Sequence, residues 1–355
     1  MFRWLFRRKR KDLLGPAAGL TKATLKVDFD FKAYAARHIF NKLSHSSEYG
    51  FYFFPYGYLF RYPKWGTINE MGFRCRENTC EIRERYPNHE IVAVFGGSTG
   101  FSTLVPDEQT FSSQLERMLN EDRALAQKIG KPFKVVNLSL PGFVVLQHAL
   151  AHLLFCWDIK PQVVISHGGW NDLILGQIND RRLISKYCIA YEGVMEAWGR
   201  KIHDTADVEI DFDHSDPDSP DFRPVRPVNK PEDVIRSYHV RTEQFRNMAE
   251  AGGARFISGF QPWVMSKRVQ SAFEQEKIRT YYRYYQFEYE NMPILCGMYE
   301  DIIDREGLAY VVNLHRRFKE LDGSVTHFGD NIHTNEIGER IIAEEYCKAV
   351  RRLYS

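Results

Sequence analysis

The stretch IVAVFGGSTGFS, residues 91–102, decides how the rest of the chain is read. An apolar, β-branched run from Ile91 to Phe95 stops at Gly96, Gly97, Ser98, Thr99 and Gly100, and a helical pattern follows from about Asp107. That order predicts a buried strand, a tight turn and a helix start. Glycines in the turn remove Cβ clashes, so Ser98 can present its hydroxyl and backbone N–H to one small space. A serine held this way is a candidate nucleophile. The same turn also reads as a helix cap or a phosphate cradle. A Walker loop needs Lys and then Ser or Thr after its last Gly, where Phe101 stands, and the G-x-G-x-x-G spacing is absent. Capping therefore remains the competing reading.

From residue 91 a β-then-α rhythm sets in. Strands are expected at 91–95, 133–138, 162–166, 254–259 and 308–314, and helices near 108–127, 144–157, 231–251, 266–306 and 335–353. The alternation predicts a doubly wound, mostly parallel sheet, which binds ligands where the carboxyl ends of its strands meet the loops. The first three strands run into Gly96-Gly97-Ser98, into Ser139-Leu140-Pro141-Gly142 and into Gly168-Gly169-Trp170-Asn171-Asp172. A hydroxyl, a glycine amide and a carboxamide are thereby delivered to one edge.

A serine hydroxyl needs a base to take its proton, and imidazole oriented by a carboxylate is the usual one. Asp330-Asn331-Ile332-His333 lies on the loop before the last expected helix. Three residues of separation let the Asp330 carboxylate reach one imidazole nitrogen of His333 while the other faces Ser98. His167, His315 and His327 lack such a partner in the local sequence. Acyl transfer also needs oxyanion donors, for which the N–H groups of Ser98 and Gly142 and the side-chain amide of Asn171 are the candidates.

These pieces resemble the SGNH (GDSL) hydrolase family. Ser98 matches the family's nucleophile block, Gly142 its glycine, Gly169-Trp170-Asn171-Asp172 its G-x-N-D block and Asp330 with His333 its D-x-x-H block. The resemblance spans residues 91–346. It implies a flavodoxin-like three-layer α/β/α sandwich with a mostly parallel five-stranded sheet, and hydrolysis or transfer of an ester-linked acyl group without metal or cofactor. Asn69-Glu70-Met71-Gly72-Phe73-Arg74 resembles the lead-in of bacterial members associated with glycan modification. Gly97 departs from the family, which usually has Asp before the nucleophile. Gly96-x-Ser98-x-Gly100 also satisfies the α/β-hydrolase elbow, but there Asp and His sit on separate loops.

The expected activity is that of a serine esterase, with Ser98, His333 and Asp330 as the triad and Ser98, Gly142 and Asn171 as the oxyanion hole. A short, acetyl-like acyl group on a carbohydrate is the expected substrate, released through an acyl-enzyme. The rivals are an acyltransferase that uses the same residues toward a glycan hydroxyl, and a non-catalytic glycan-binding or scaffold protein on the same fold.

The chain has 355 residues, 44% hydrophobic and 26% charged, which suits one large α/β domain with appendages. A net charge of +2 gives no bulk attraction to nucleic acid. Six cysteines make no disulfide framework in a chain this long, and Cys75 and Cys80 lack C-x-x-C spacing. We expect a tail over 1–21, an aromatic-rich extension over 22–89 and the hydrolase domain over 90–355. The tail places Phe2, Trp4, Leu5 and Phe6 before a basic run, suited to peripheral contact with the inner face of a membrane in an otherwise cytoplasmic chain. In the extension, Tyr56, Tyr58, Phe60 and Tyr62 alternate as in a strand. An acidic, proline-containing insertion over 204–233 reads as a solvated loop, because it does not match the calcium-binding spacing. Tyr281, Tyr282, Tyr284, Tyr285, Phe287 and Tyr289 form an aromatic cluster that suits a core, a dimer surface or a substrate wall.

Overall fold

The computed structural model describes residues 51–54, 57–60, 66–69, 72–178, 227–282 and 285–355. The tail at 1–21, most of the extension, Tyr56, Tyr62, Tyr284 and the insertion up to residue 226 lie outside the described residues. The main sheet has five strands, β1 (Glu90–Gly96), β2 (Phe133–Asn137), β3 (Val163–Gly168), β4 (Arg255–Phe260) and β5 (Val311–Asn313). They lie in the order β2-β1-β3-β4-β5, and each adjacent pair is parallel. The sheet is thus wholly parallel, and its strand order is the flavodoxin-like one.

Burial explains the composition of the strands. Ile91, Val92, Ala93, Val94 and Phe95 are each 0% exposed. A strand covered by helices on both faces has no solvent side on which to alternate, so it reads as an unbroken apolar run.

After β1 come the four-residue helix α1 (Ser98–Phe101), α2 (Phe111–Glu121) and α3 (Arg123–Ile129). α4 (Val145–Ile159) joins β2 to β3, and α5 (Trp170–Ile178) starts directly after β3. α6 (Pro231–Ala251) leads into β4, which is followed by α7 (Ala272–Tyr282) and α8 (Gln286–Glu306). α9 (Leu314–Lys319) and α10 (Glu336–Leu353) complete the fold. α2 packs with α10 on one side of the sheet, and α6 packs with α4 and α8 on the other.

Three expected elements are cut differently, each for a local reason. The helix expected over 108–127 breaks at Asp122, whose side chain caps α3 by accepting from the Leu125 N–H. The long helix expected over 266–306 is divided, and Ser266 ends a 3₁₀ turn instead (Val264–Ser266). There the chain dives inward, where the buried Lys267 Nζ meets Glu274 Oε2 at 2.6 Å and the Val325 carbonyl at 2.7 Å. β5 is only three residues long because Asn313 already caps α9, accepting from the Arg316 N–H.

Upstream, Phe51–Phe54 and Gly57–Phe60 pair as antiparallel strands. Phe73 is fully buried, and its ring meets Phe155 of α4 edge-on. Among the described residues no helix is long and apolar enough to cross a membrane.

Candidate active site

In this topology the chain leaves β1 toward β2 on one side and returns to β3 on the other. The crevice outside the carboxyl ends of a doubly wound sheet opens at such a reversal. Ser98 follows β1 and Asn171 follows β3, so both flank it.

The loop that carries Asp330 and His333 folds back on itself. Phe328 and Thr334 form an antiparallel bridge, and the Gly329 N–H donates to the His333 carbonyl at 2.9 Å. Inside this turn Asp330 Oδ1 accepts from the backbone N–H of Ile332 at 2.7 Å and of His333 at 2.6 Å. Asp330 Oδ2 lies 2.7 Å from His333 Nδ1, and His333 Nε2 lies 2.8 Å from Ser98 Oγ. An ionised carboxylate only accepts, so Nδ1 carries the proton and Nε2 is left to accept from the serine hydroxyl.

Burial alone would push the Asp330 carboxyl up. The electrostatic interaction with the His333 imidazole and the hydrogen bonds from its side chain, its amide and the Ile332 amide outweigh that and hold the carboxyl below its ordinary range.

The oxyanion candidates gather around Gly97. A Cβ on Gly97 would stand 2.6 Å from Asn171 Nδ2 and 3.2 Å from the Phe143 carbonyl oxygen. The Asn171 amide thus occupies the space that a side chain at position 97 would need in this arrangement. Asn171 Nδ2 donates one hydrogen to the Phe143 carbonyl at 2.9 Å and has a second to offer. Gly142, next to Phe143, has φ +80°, a conformation that favours glycine. Ser98 is the first residue of α1, and a first helical amide has no intrahelical acceptor. Asp172 is buried, accepts from the Val145 N–H at 3.0 Å and is pushed up to about 7 by burial. It ties the start of α5 to the start of α4.

The imidazoles of His167 and His315 have structural partners, and His327 is held by its backbone. His167 Nδ1 is 2.7 Å from the Tyr346 hydroxyl, and burial lowers its pKa to about 3. His315 Nδ1 meets Glu300 Oε1 at 3.2 Å. His327 is buried, and its backbone N–H donates to Glu274 Oε1 at 2.7 Å.

Several residues beside the relay carry no local signature in the sequence. The Arg74 guanidinium donates to the carbonyls of Phe101, Ser102 and Val105 and meets Asp107, clasping the segment just after α1. Thr99 Oγ1 donates to Gln261 Oε1 at 3.1 Å, linking α1 to the end of β4. Glu339 of α10 bonds to Ser102 and Thr334.

Aromatic rings step outward from the same place. Trp170, adjacent to Asn171, lies 5.0 Å from Trp263, which lies 5.6 Å from Tyr289, which stacks on Tyr282 at 5.4 Å. Trp170, Trp263 and Tyr289 are buried, whereas Tyr282 is 43% exposed. The series joins the Asp330 loop directly, because the Val264 N–H donates to the Asn331 carbonyl. Among the described residues no group of His, Cys, Asp and Glu could hold a metal ion.

No family model and no curated protein matches the chain. Solved structures similar to it include the acetyl xylan esterase AlAXEase, at 13% identity and TM-score 0.40, covering 73% of this chain and 99% of that one. A second is a mutant of Axe2, an acetyl-xylooligosaccharide esterase from Geobacillus stearothermophilus, at 13% identity and TM-score 0.42, covering 74% and 94%. A third is a lipolytic protein assigned to the G-D-S-L family from Desulfitobacterium hafniense DCB-2, at 12% identity and TM-score 0.38, covering 74% and 99%.

Proposed function

We propose that the chain is a serine esterase of the SGNH type that removes a short acyl group from a carbohydrate. The observation that carries this reading is the unbroken hydrogen-bond relay from Asp330 through His333 to Ser98. His333 Nε2 takes the hydroxyl proton as Ser98 Oγ bonds to the ester carbonyl carbon. Asp330, held as a carboxylate, stabilises the imidazolium that forms. The tetrahedral oxyanion receives the amides of Ser98 and Gly142 and the free hydrogen of Asn171 Nδ2, each donor contributing about 3 kcal/mol. Collapse breaks the ester C–O bond and returns the proton from Nε2 to the departing alcohol. Water then repeats the sequence on the acyl-enzyme, giving the free acid and restoring Ser98.

The substrate class rests on the ring series that starts at Trp170 beside the relay and ends at Tyr282, the exposed member, whose outer face suits the apolar C–H side of a sugar. Wild-type protein should be labelled by a fluorophosphonate probe, release acetate from acetylated oligosaccharides and lose both properties in Ser98→Ala. Labelling that persists in Ser98→Ala, or a wild-type chain inert to both reagents, would refute the assignment. Transfer to an added glycan instead of water would move the chain to the acyltransferases with the relay unchanged.

A further inference from the structure

Ser98 and His333 belong to segments far apart along the chain, and one side chain outside the relay bonds to both segments. Glu339, in the first turn of α10, is 1% exposed. Its Oε2 accepts from Ser102 Oγ at 2.6 Å and from the Phe111 N–H at 2.7 Å, and its Oε1 accepts from Thr334 Oγ1 at 2.6 Å.

Ser102 closes the four-residue helix that begins at Ser98 and holds the left-handed conformation, φ 58°. Thr103 then turns back, its N–H and Oγ1 both donating to the Ser98 carbonyl at 3.3 and 2.8 Å. The hydroxyl of Ser102 is thus held by Glu339 while its carbonyl is held by Arg74. On the other side Thr334 is the residue after His333, and its backbone forms the bridge that closes the Asp330 turn. The Asn335 side chain caps α10 by accepting from the amides of Ile337 and Gly338, which fixes the origin from which Glu339 reaches out.

We propose that Glu339 is a positioning residue that sets the separation between the Ser98 hydroxyl and the His333 imidazole by gripping the chain on both sides at once. The proposal rests on the esterase reading for what that separation accomplishes, and on the hydrogen bonds alone for the grip. An apolar side chain would fill the same space without the desolvation cost of a buried carboxyl. Burial pushes Glu339 up to about 7, against the opposing pull of Ser102, Thr334, the Phe111 amide and the Arg74 charge. What the carboxyl supplies, and an apolar group cannot, is a rigid acceptor for two hydroxyls and an amide from three separate segments. Displacing reacting atoms by about 1 Å costs about a hundred-fold in rate, so the relay is sensitive to such a brace.

The test compares Glu339→Gln with Glu339→Ala in the full chain. Gln retains the brace, since its Oε1 accepts from Phe111 and Ser102 while its Nε2 donates to a reoriented Thr334 hydroxyl; Ala retains none of it. Two quantities are measured: the rate of fluorophosphonate labelling at Ser98, and the low-field NMR signal of the His333 Nδ1 proton held by Asp330.

Glu339→Ala should label about a hundred-fold more slowly and broaden or lose the proton signal, with KM for a nitrophenyl ester little changed. Glu339→Gln should restore both. A cooperatively folded Glu339→Ala protein that labels at the wild-type rate and keeps the signal overturns the proposal, and so does a folded Gln variant as slow as Ala. Should Glu339→Ala not fold, Ser102→Ala and Thr334→Val each cut one arm of the grip, and wild-type labelling rates in both would overturn it. A wild-type chain that ignores the probe but shows the proton signal ends the esterase reading alone. Glu339 is then judged by whether its alanine variant loses that signal.

Discussion

Replacing Gly97 by Ala tests the oxyanion assignment without touching a reacting group. The added methyl would lie 2.6 Å from Asn171 Nδ2, too close to coexist with the present arrangement, and 3.2 Å from the Phe143 carbonyl oxygen, a tight contact. The side-chain amide is the softer neighbour, so it swings away, giving up its 2.9 Å hydrogen bond to Phe143 and the oxyanion contact proposed for it. Losing one such donor costs about 3 kcal/mol in the transition state, or about a hundred-fold in kcat. KM should move little, because the donor counts only once charge has developed. Lost native hydrogen bonding adds about 1 kcal/mol of destabilisation, visible as a modest fall in Tm. Asn171→Ala removes the same donor by a different route, and Gly97→Ala in that background has no amide left to displace. The double variant should therefore be about as slow as either single one, a coupling close to the full 3 kcal/mol. The assay is steady-state hydrolysis of nitrophenyl acetate by the four proteins of the cycle, each checked for cooperative unfolding. A Gly97→Ala protein within about three-fold of wild type, or a double variant slower by the product of the singles, would refute the placement of this donor.

Asp330→Asn should leave the fold intact and lower kcat by about 10⁴-fold, since an amide no longer enforces the Nδ1–H tautomer; a loss of ten-fold or less in the nitrophenyl assay would contradict the relay. Lys267→Met strands Glu274 in the interior and should cost about 3 kcal/mol in denaturant unfolding, whereas an unchanged midpoint would mean the pair is replaceable. The stability of wild type relative to Glu339→Gln should depend on pH. The Glu339 carboxyl has an ordinary value of 4.5 and is raised to about 7 in the fold, so the folded state favours its protonated form. Its contribution is full below pH 4.5 and is lost as pH rises through about 7, a change on the order of 3 kcal/mol in Gln's favour followed by a plateau. A pH-independent difference between the two proteins would show that the carboxyl is not desolvated as described.

The sheet was readable from composition because a strand buried on both faces has no polar residues to interrupt it, as Ile91 to Phe95 illustrate. Helix breaks were harder to see. Asp122 continues the polar face of the preceding helix, and only the three-dimensional course of the chain tells that its carboxylate serves as the cap of α3. Asp330 and His333 stand out because their chemistry closes within a four-residue turn. Glu339 and Arg74 do not, because their partners lie in other segments. In the sequence Glu339 reads as an acidic residue in a helix's first turn, with favourable charge there as a sufficient explanation. Gly97 shows the same limit from the other side. As a residue it marks only a permissive turn, and the amide that a side chain there would meet is contributed by the first turn of α5, far along the chain.

α10 packs against α2, the helix just downstream of Ser98, although more than two hundred residues separate them. A chain emerging from the ribosome therefore exposes the serine turn long before the imidazole exists, and α2 must wait for its neighbour. During synthesis the Ser98 hydroxyl lacks the His333 imidazole to which it bonds in the folded chain. Contacts this distant in sequence also slow folding, so the newborn chain passes through a period in which one flank of the sheet is bare and open to capture by chaperones.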